Sequence, residues 1–218
     1  MTGLDLRLYV VTDPALTPPD RLVEACLAAV RGGATVVQLR DKEAPDGTLL
    51  AQAEALRAAL APHGVPLIVN DRIDVARRAG AGVHLGIHDQ TPAAARAVLG
   101  PDAIVGWSVE DPAQLAATEQ LTACSYLAAS PVWVTPTKRD TAPPIGPDGV
   151  AGLRARITLP LIGIGGINTP NRVAAVIAAG ADGVACVSAV FGAPDPEAAA
   201  AALRHAVDAT LAERSVIP

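Results

Sequence analysis

Aromatic residues, charged residues and cysteines are all scarce in this chain. Phe, Trp and Tyr make up 2% of its 218 residues while 50% are hydrophobic, so the core must consist of aliphatic side chains. Charged residues make up 18%, below the roughly 25% that is typical of soluble domains. Low charge with high hydrophobicity excludes a disordered chain. The formal net charge of −5 argues against a surface that attracts nucleic acid, so we expect any anion site to be local.

The three cysteines indicate neither a disulfide framework nor a zinc site. Cys26, Cys124 and Cys186 lie far apart in apolar stretches, which is typical of buried thiols in a reducing compartment. No apolar run approaches the roughly 20 residues of a membrane span, and the N-terminal residues lack a signal-peptide pattern. We therefore expect a cytoplasmic protein that binds neither membranes nor nucleic acid.

Short aliphatic segments alternate with Ala-rich segments of helical spacing along the whole chain. The predicted strands are 6–11, 34–39, 66–70, 82–85, 103–107, 125–129, 159–164 and 183–188. The predicted helices are 19–31, 48–61, 72–79, 92–99, 111–120, 147–156, 170–179 and 196–213. Eight strand–helix units predict an α/β fold, a single (β/α)8 TIM barrel over residues 1–218. An open doubly wound sheet would favour a Gly-rich turn after the first strand, where Thr12, Asp13 and Pro14 stand instead.

Polar residues collect where the predicted strands end, which is the catalytic face of such a barrel. Gln38, Arg40 and Lys42 alternate along one extended segment, so their side chains should point the same way and bind a polyanion. The Pro-rich loop 131–147 follows the sixth strand and is predicted to be an active-site lid.

Two aspartates follow neighbouring strands and predict a metal site. Asp71 and Asp89 offer carboxylate oxygens without His or Cys partners, a set that favours Mg²⁺ shared with phosphate oxygens. Each aspartate also precedes a predicted helix, so helix N-capping is the alternative interpretation.

A double glycine after the seventh strand predicts a second anion site. GIGGI at 163–167 precedes Ser188 at the end of the eighth strand, and loops after strands 7 and 8 often form a phosphate site in this fold. No nucleophile–base pair is apparent, since His84 is interpreted as a core residue and His88 only as a weaker acid–base candidate. Two facing anion sites favour electrostatic departure of a diphosphate.

Eight short segments of the chain resemble motifs of a known family. QLRDK at 38–42, HLGxxD at 84–89, TPTK at 135–138 and GIGGI at 163–167 are similar to motifs of thiamine-phosphate synthase. The remaining similar motifs are LYVVTD at 8–13, ND at 70–71, GWS at 106–108 and VSA at 187–189. The resemblance implies condensation of 4-amino-2-methyl-5-diphosphomethylpyrimidine with thiazole phosphate, giving thiamine phosphate and pyrophosphate. It leaves open whether the thiazole carries an additional carboxylate.

The resemblance also implies roles for individual residues. The pyrimidine diphosphate would be bound by Gln38, Arg40, Lys42 and Asn70, with Leu39 and Asp41 in the same motif counted among the substrate-binding residues. Asp71 and Asp89 would hold Mg²⁺, and Ser108, Arg40 and Lys138 would be catalytic at the departing pyrophosphate. The thiazole phosphate would be held by Thr135, Pro136, Thr137, Lys138, Gly166, Val187 and Ser188.

The chain departs from the family pattern at a few positions, none of which replaces a charged group assigned to a site, and three alternative functions remain. The departures are Ile87, Glu110, Ala128, Ser130, Trp133 and Val134. A related thiazole tautomerase would need no diphosphate site, and a sugar-phosphate epimerase would need a paired acid and base, for which His84 and His88 are the clustered candidates. The non-enzymatic alternative is a thiamine-phosphate binder. The Ala-rich helices would permit packing of copies into a homo-oligomer.

Overall fold

The chain folds into a closed barrel of eight parallel strands in sequential order. The computed structural model describes residues 3–135 and 142–216. The strands are β1 (Leu8–Val11), β2 (Val36–Leu39), β3 (Leu67–Asn70), β4 (Gly82–Leu85), β5 (Val105–Val109), β6 (Tyr126–Ala129), β7 (Leu161–Ile164) and β8 (Gly183–Cys186). Because β8 pairs with β1, the sheet has no free edge. The predicted (β/α)8 barrel is therefore confirmed.

Helices surround the barrel between successive strands. Within the described ranges they are α1 (Leu22–Arg31), α2 (Asp46–Leu60), α3 (Ile73–Ala79), α4 (Pro92–Leu99), α5 (Thr118–Ala123), α6 (Gly146–Arg154), α7 (Pro170–Ala178), α8 (Ser188–Phe191) and α9 (Pro196–Val216). The helices pack on outward-facing strand residues to form the larger apolar core. None of the helices in the two described ranges is both long and apolar enough to cross a membrane.

Several predicted elements have bounds shifted by two or three residues, and two predictions differ from the structure in the type of element. The predicted strand 183–188 stops at Cys186, and Ser188 begins the short helix α8. The predicted helix 111–120 is a 3-10 turn at Pro112–Ala116 followed by α5, because Ala117 leaves the helical region with φ −80° and ψ 69°. Gln114 closes a capping box with Asp111 at the start of that turn, which stabilises the short turn locally.

The barrel interior is apolar at one end and polar at the other. Inward-facing residues of successive strands form a small second core that includes Tyr9, Ile68, Tyr126 and Ile162, all at most 1% exposed. At the carboxyl ends of the strands this core gives way to buried polar side chains, namely Gln38, His84, Ser108 and Ser130. Because side chains alternate along each strand, the polar residues near the carboxyl ends of the strands point into this end of the interior.

The three thiols lie within the apolar layers, and burial raises the pKa of each to about 12. Their exposures are 0% for Cys26, 7% for Cys124 and 2% for Cys186. Since the thiolate is the reactive form, we expect iodoacetamide to label none of the thiols in the native protein at neutral pH. Mass spectrometry should detect three adducts only after denaturation. Fast labelling of the native protein would contradict this burial.

Candidate active site

One cavity of about 220 Å³ opens at the carboxyl ends of the strands. Most of the residues predicted for the site line it: Gln38, Arg40, Lys42, Asn70, Asp71, Asp89, Ser108, Thr135, Gly166, Val187 and Ser188. Basic and acidic groups from separate loops therefore share a single cavity.

Other predicted residues lie elsewhere. The side chain of Leu39 is buried in the outer apolar core, and Asp41 Oδ1 accepts from the backbone N–H of Glu43 (3.1 Å) and Ala44 (3.0 Å). Neither Leu39 nor Asp41 lines the cavity, because alternation turns both away from the side that carries Arg40. Pro136, Thr137 and Lys138 fall outside the described residues, as does part of the predicted lid 131–147.

The basic residues after β2 are held by neighbouring loops. The Thr12 hydroxyl accepts a hydrogen bond from the backbone N–H of Arg40 at 2.9 Å, which continues the pairing of β1 and β2 past their ends. Arg72 donates to the carbonyl oxygens of Lys42 (2.8 Å) and Ala44 (2.6 Å). These contacts fix the loop that presents Arg40 and Lys42 to the cavity.

Asp71 and Asp89 meet at the cavity wall. Asp71 has a left-handed backbone (φ 62°), and its N–H donates to His84 O at 2.9 Å. Burial and the hydrogen-bonded carboxyl of Asp89 raise the pKa of Asp71 to about 6, although Lys42 Nζ lies 3.3 Å away and acts in the opposite direction. Backbone strain and paired acids in one place are typical of functional sites.

The alternative interpretation of these aspartates as helix caps is wrong. The residue before α3 is Arg72, which makes no side-chain cap, and Thr91 caps α4. Asp89 Oδ2 instead accepts from the backbone N–H of Gly86 at 2.7 Å. This contact holds the 86–89 loop so that Asp89 faces Asp71.

The donor set of this pair fits Mg²⁺. Two carboxylates supply hard oxygen ligands, and the described residues hold no cluster of three or more His, Cys, Asp or Glu side chains that would form a complete protein shell. Mg²⁺ in nucleotide and diphosphate sites commonly takes one or two carboxylates and completes its shell with water and phosphate oxygens.

The glycine loop after β7 faces the acid pair from the other side of the barrel. Gly165 and Gly166 have φ values of 104° and 66°. A Cβ on Gly166 would lie 2.7 Å from Val134 O and 2.8 Å from Trp133 Cβ. The double glycine therefore lets the loop after β6 pack directly on the loop after β7.

Arg172 also belongs to this region and was not predicted from the sequence. Arg172 lines the cavity from the first turn of α7, its Nη1 donates to Gly166 O at 2.5 Å, and its guanidinium carbon lies 4.9 Å from the ring centre of Trp133. A cation in the first turn opposes the helix dipole. That unfavourable position was a readable signal that Arg172 serves something other than helix stability.

The interpretation of His84 as a core residue is confirmed, but its contact with Ser108 was not predicted from the sequence. His84 Nε2 lies 3.0 Å from Ser108 Oγ, and both side chains are buried. Strand alternation could have indicated this contact. His84 pairs with Gly106 across β4 and β5, and Ser108, two residues after Gly106, points to the same inward face as His84.

The departures from the family pattern sit around this cavity. Ala128, Ser130 and Val134 line it, and the Glu110 carboxylate accepts from the backbone N–H of Ala142 at 3.3 Å. Val134 is 78% exposed, so it presents an apolar group at the cavity rim. None of the departures alters a charged group of the predicted anion sites.

The model of a protein family described as thiamine monophosphate synthase matches residues 8–190. The chain belongs to this family. The synthase-family assignment confirms the resemblance seen in the motifs. The chain is accordingly a transferase of thiamine biosynthesis built on a TIM barrel.

Individual relatives are similar over nearly their whole length. The thiamine-phosphate synthase of Xanthobacter autotrophicus is 56% identical over 204 residues, 93% of this chain and 96% of the relative. The thiamine-phosphate synthase of Albidiferax ferrireducens is 49% identical over 205 residues, 94% of this chain and 93% of the relative. The solved structure of thiamine phosphate pyrophosphorylase from Pyrococcus furiosus superimposes with a TM-score of 0.85 at 33% identity, covering 95% of this chain and 98% of that chain.

Proposed function

We propose that the enzyme joins 4-amino-2-methyl-5-diphosphomethylpyrimidine to thiazole phosphate, with release of pyrophosphate and formation of thiamine phosphate. The observation that carries this proposal is that Arg40 and the Asp71–Asp89 pair share one cavity with the Gly165–Gly166 loop and Arg172. One side of the cavity suits a diphosphate and the other a monophosphate. A tautomerase or an epimerase would have no use for both.

The reaction needs charge stabilisation rather than a nucleophilic side chain. The bond between the pyrimidine methylene carbon and the diphosphate oxygen breaks, and its electron pair leaves with pyrophosphate. The lone pair of the thiazole nitrogen then forms the new C–N bond, so the ring becomes a thiazolium without proton transfer. The barrier falls when cations are already placed where the negative charge develops.

Arg40 and Lys42 supply that positive charge on the diphosphate side. Arg40 lines the cavity on this side, where a guanidinium can donate two hydrogen bonds to phosphate oxygens. Lys42 is half exposed and pairs with Asp71. Asp71 and Asp89 would hold Mg²⁺, which when bound would neutralise the leaving diphosphate. Gln38, Asn70 and Ser108 line the same side and supply polar contacts to the pyrimidine substrate.

The opposite side of the cavity would hold the thiazole phosphate. Gly166, Val187, Ser188 and Thr135 line it, and Pro136, Thr137 and Lys138 follow in the chain. Arg172 adds a cation to this group. Its stacking on Trp133 and its bond to Gly166 O leave other guanidinium N–H groups for an anion.

Arg172→Gln should raise the KM for thiazole phosphate and leave the KM for the pyrimidine diphosphate nearly unchanged. A charged hydrogen bond contributes about 1.5–3 kcal/mol, equivalent to roughly 10–100-fold in affinity. Steady-state kinetics with each substrate varied in turn measures the effect. Arg78→Gln, on the exposed side of α3, is the control. Equal changes in both KM values would contradict the assignment.

Turnover tests the proposed function directly. The purified enzyme is incubated with Mg²⁺ and the pyrimidine diphosphate, the thiazole phosphate, or both, and pyrophosphate and thiamine phosphate are quantified. We expect equal amounts of the two products when both substrates are present, and neither product with thiazole phosphate alone. Isomerisation of the thiazole without pyrophosphate would support a tautomerase. Calorimetric binding of thiamine phosphate without turnover would support a binding protein.

A further inference from the structure

A chain of four hydrogen bonds crosses the barrel interior beneath the cavity. Gln38 Nε2 lies 2.7 Å from Tyr9 Oη, and Tyr9 Oη lies 2.9 Å from Tyr126 Oη. Tyr126 Oη lies 2.9 Å from His84 Nδ1, whose other ring nitrogen lies 3.0 Å from Ser108 Oγ. Gln38, Tyr9, His84 and Ser108 all line the cavity, and Tyr126 connects Tyr9 to His84 from below, so the hydrogen bonds join two parts of the substrate-facing surface.

The donors and acceptors of this hydrogen-bond chain can be ordered in only two directions. Each tyrosine hydroxyl has one proton to donate, and burial raises the pKa of both Tyr9 and Tyr126, so each keeps that proton. Among the described residues, the hydrogen-bond partners of Tyr9 Oη are Gln38 and Tyr126, and those of Tyr126 Oη are Tyr9 and His84. A tyrosine hydroxyl that accepts one of its two hydrogen bonds must therefore donate the other, so the direction of one hydrogen bond fixes the direction of the next.

The amide of Gln38 selects the direction. An amide nitrogen can only donate, so Tyr9 accepts from Gln38 and must donate to Tyr126. Tyr126 then donates to His84 Nδ1, which leaves the proton of the neutral imidazole on Nε2. His84 Nε2–H donates to Ser108 Oγ, and the proton of Ser108 remains for the cavity.

We propose that Gln38 sets the direction of this chain, so that His84 is the Nε2–H tautomer and Ser108 presents its hydroxyl to the substrate as a hydrogen-bond donor. In the reverse direction Ser108 would donate to His84, which is the arrangement of a nucleophile and its base. Ser108 thus binds an acceptor atom of the pyrimidine diphosphate. Tyr9, Tyr126 and His84 are positioning residues. The identity of the acceptor rests on the proposed function, whereas the tautomer does not.

The packing around the chain keeps its geometry fixed. A Cβ on Gly106 would lie 2.3 Å from Tyr126 Oη and 2.6 Å from His84 Nδ1, so glycine leaves the space in which these two groups meet. The rings of His84 and Tyr126 stack with centroids 5.6 Å apart, and those of Tyr9 and Tyr126 lie 5.8 Å apart. Both tyrosines are at most 1% exposed, so the middle of the hydrogen-bond chain has almost no solvent-accessible surface.

Nitrogen NMR of the histidine side chains tests the direction without any need for turnover. The signals of His84 are assigned by their loss in His84→Gln. We expect the Nε2–H tautomer in the native enzyme. An Nδ1–H tautomer, or a ring protonated on both nitrogens, would overturn the proposal.

Gln38→Glu extends the test to the far end of the chain. A carboxylate can only accept, so Tyr9 must donate to it, and each later link must reverse at mildly alkaline pH. We expect the His84 tautomer to change to Nδ1–H, three hydrogen bonds away from the substitution. Gln52→Glu on α2 introduces the same charge outside the barrel interior and should leave the tautomer unchanged. An unchanged tautomer in Gln38→Glu would show that Gln38 does not set the direction.

Kinetics supply a second readout for the donor role. Ser108→Ala should lower kcat/KM for the pyrimidine diphosphate about tenfold or more, and Ser108→Thr, which keeps the hydroxyl, should restore most of the loss. If neither variant changes kcat/KM while the wild-type enzyme turns over, Ser108 makes no productive contact. Absence of turnover in the wild-type enzyme would instead contradict the proposed function and leave the tautomer result standing.

Discussion

Asp71→Asn should reduce Mg²⁺-dependent pyrophosphate release by about 100-fold or more, because loss of even a group that only hydrogen-bonds to a metal ligand typically costs 10–100-fold in metal affinity or activity. Asparagine is the appropriate replacement since Asp71 has φ 62°, a left-handed conformation that asparagine adopts more readily than most residues. The substitution also removes a partly buried carboxyl whose ionisation its surroundings oppose. The melting temperature without Mg²⁺ should therefore stay the same or rise.

A magnesium titration of activity, with thermal unfolding in parallel, separates these effects. Asp74→Asn changes the charge equally on α3, where its side chain is 82% exposed, and should leave activity unchanged. Full activity of Asp71→Asn at the same magnesium concentration would show that this carboxylate does not bind the metal. A large drop in its melting temperature would instead assign Asp71 a structural role.

Gly166→Ala should reduce the turnover rate by roughly 100-fold, since a displacement near 1 Å in a substrate-positioning loop can cost that much. Its φ of 66° costs an alanine about 1–2 kcal/mol. The added Cβ would also lie 2.7 Å from Val134 O, so the loop after β6 would have to move away from the loop after β7. That movement separates groups that line the monophosphate side of the cavity.

Gly152→Ala is the matched control for this substitution. Gly152 lies inside α6, and no atom comes within 4 Å of an added Cβ. Alanine there should raise the free energy of unfolding by about 0.5–1 kcal/mol and leave turnover unchanged. Wild-type kinetics for Gly166→Ala would show that the loop contact is irrelevant to the reaction.

The fold could be predicted because its determinants are local and repeated. Each strand corresponds to an aliphatic run in the sequence. Thr91–Pro92 and Thr169–Pro170 mark the starts of α4 and α7, as the structure shows. The boundary of β8 was predicted two residues too late because Val187 continues the apolar run past Cys186, and no Gly or Pro marks the start of α8 at Ser188.

The candidate site could be predicted only where strand order was sufficient. Arg40, Asp71 and Asp89 follow strands whose carboxyl ends must converge, so topology alone brought them to one cavity. Arg172 lies on a helix and reaches the cavity through its side-chain conformation, stacked on Trp133, which the sequence does not encode locally. The contact of His84 with Ser108 depends on strand register, which is set by packing across the whole barrel.

Simultaneous binding of two anions tests the central claim most directly. Calorimetry can titrate thiazole phosphate into the enzyme with and without saturating Mg²⁺ and pyrophosphate, which cannot react with it. We expect one thiazole phosphate to bind per chain in both cases. Arg172→Gln should lower the affinity for thiazole phosphate, and Asp71→Asn should lower only the affinity for pyrophosphate. If saturating pyrophosphate instead displaced thiazole phosphate, the cavity would hold one anion site rather than two, and the proposed condensation could not occur there.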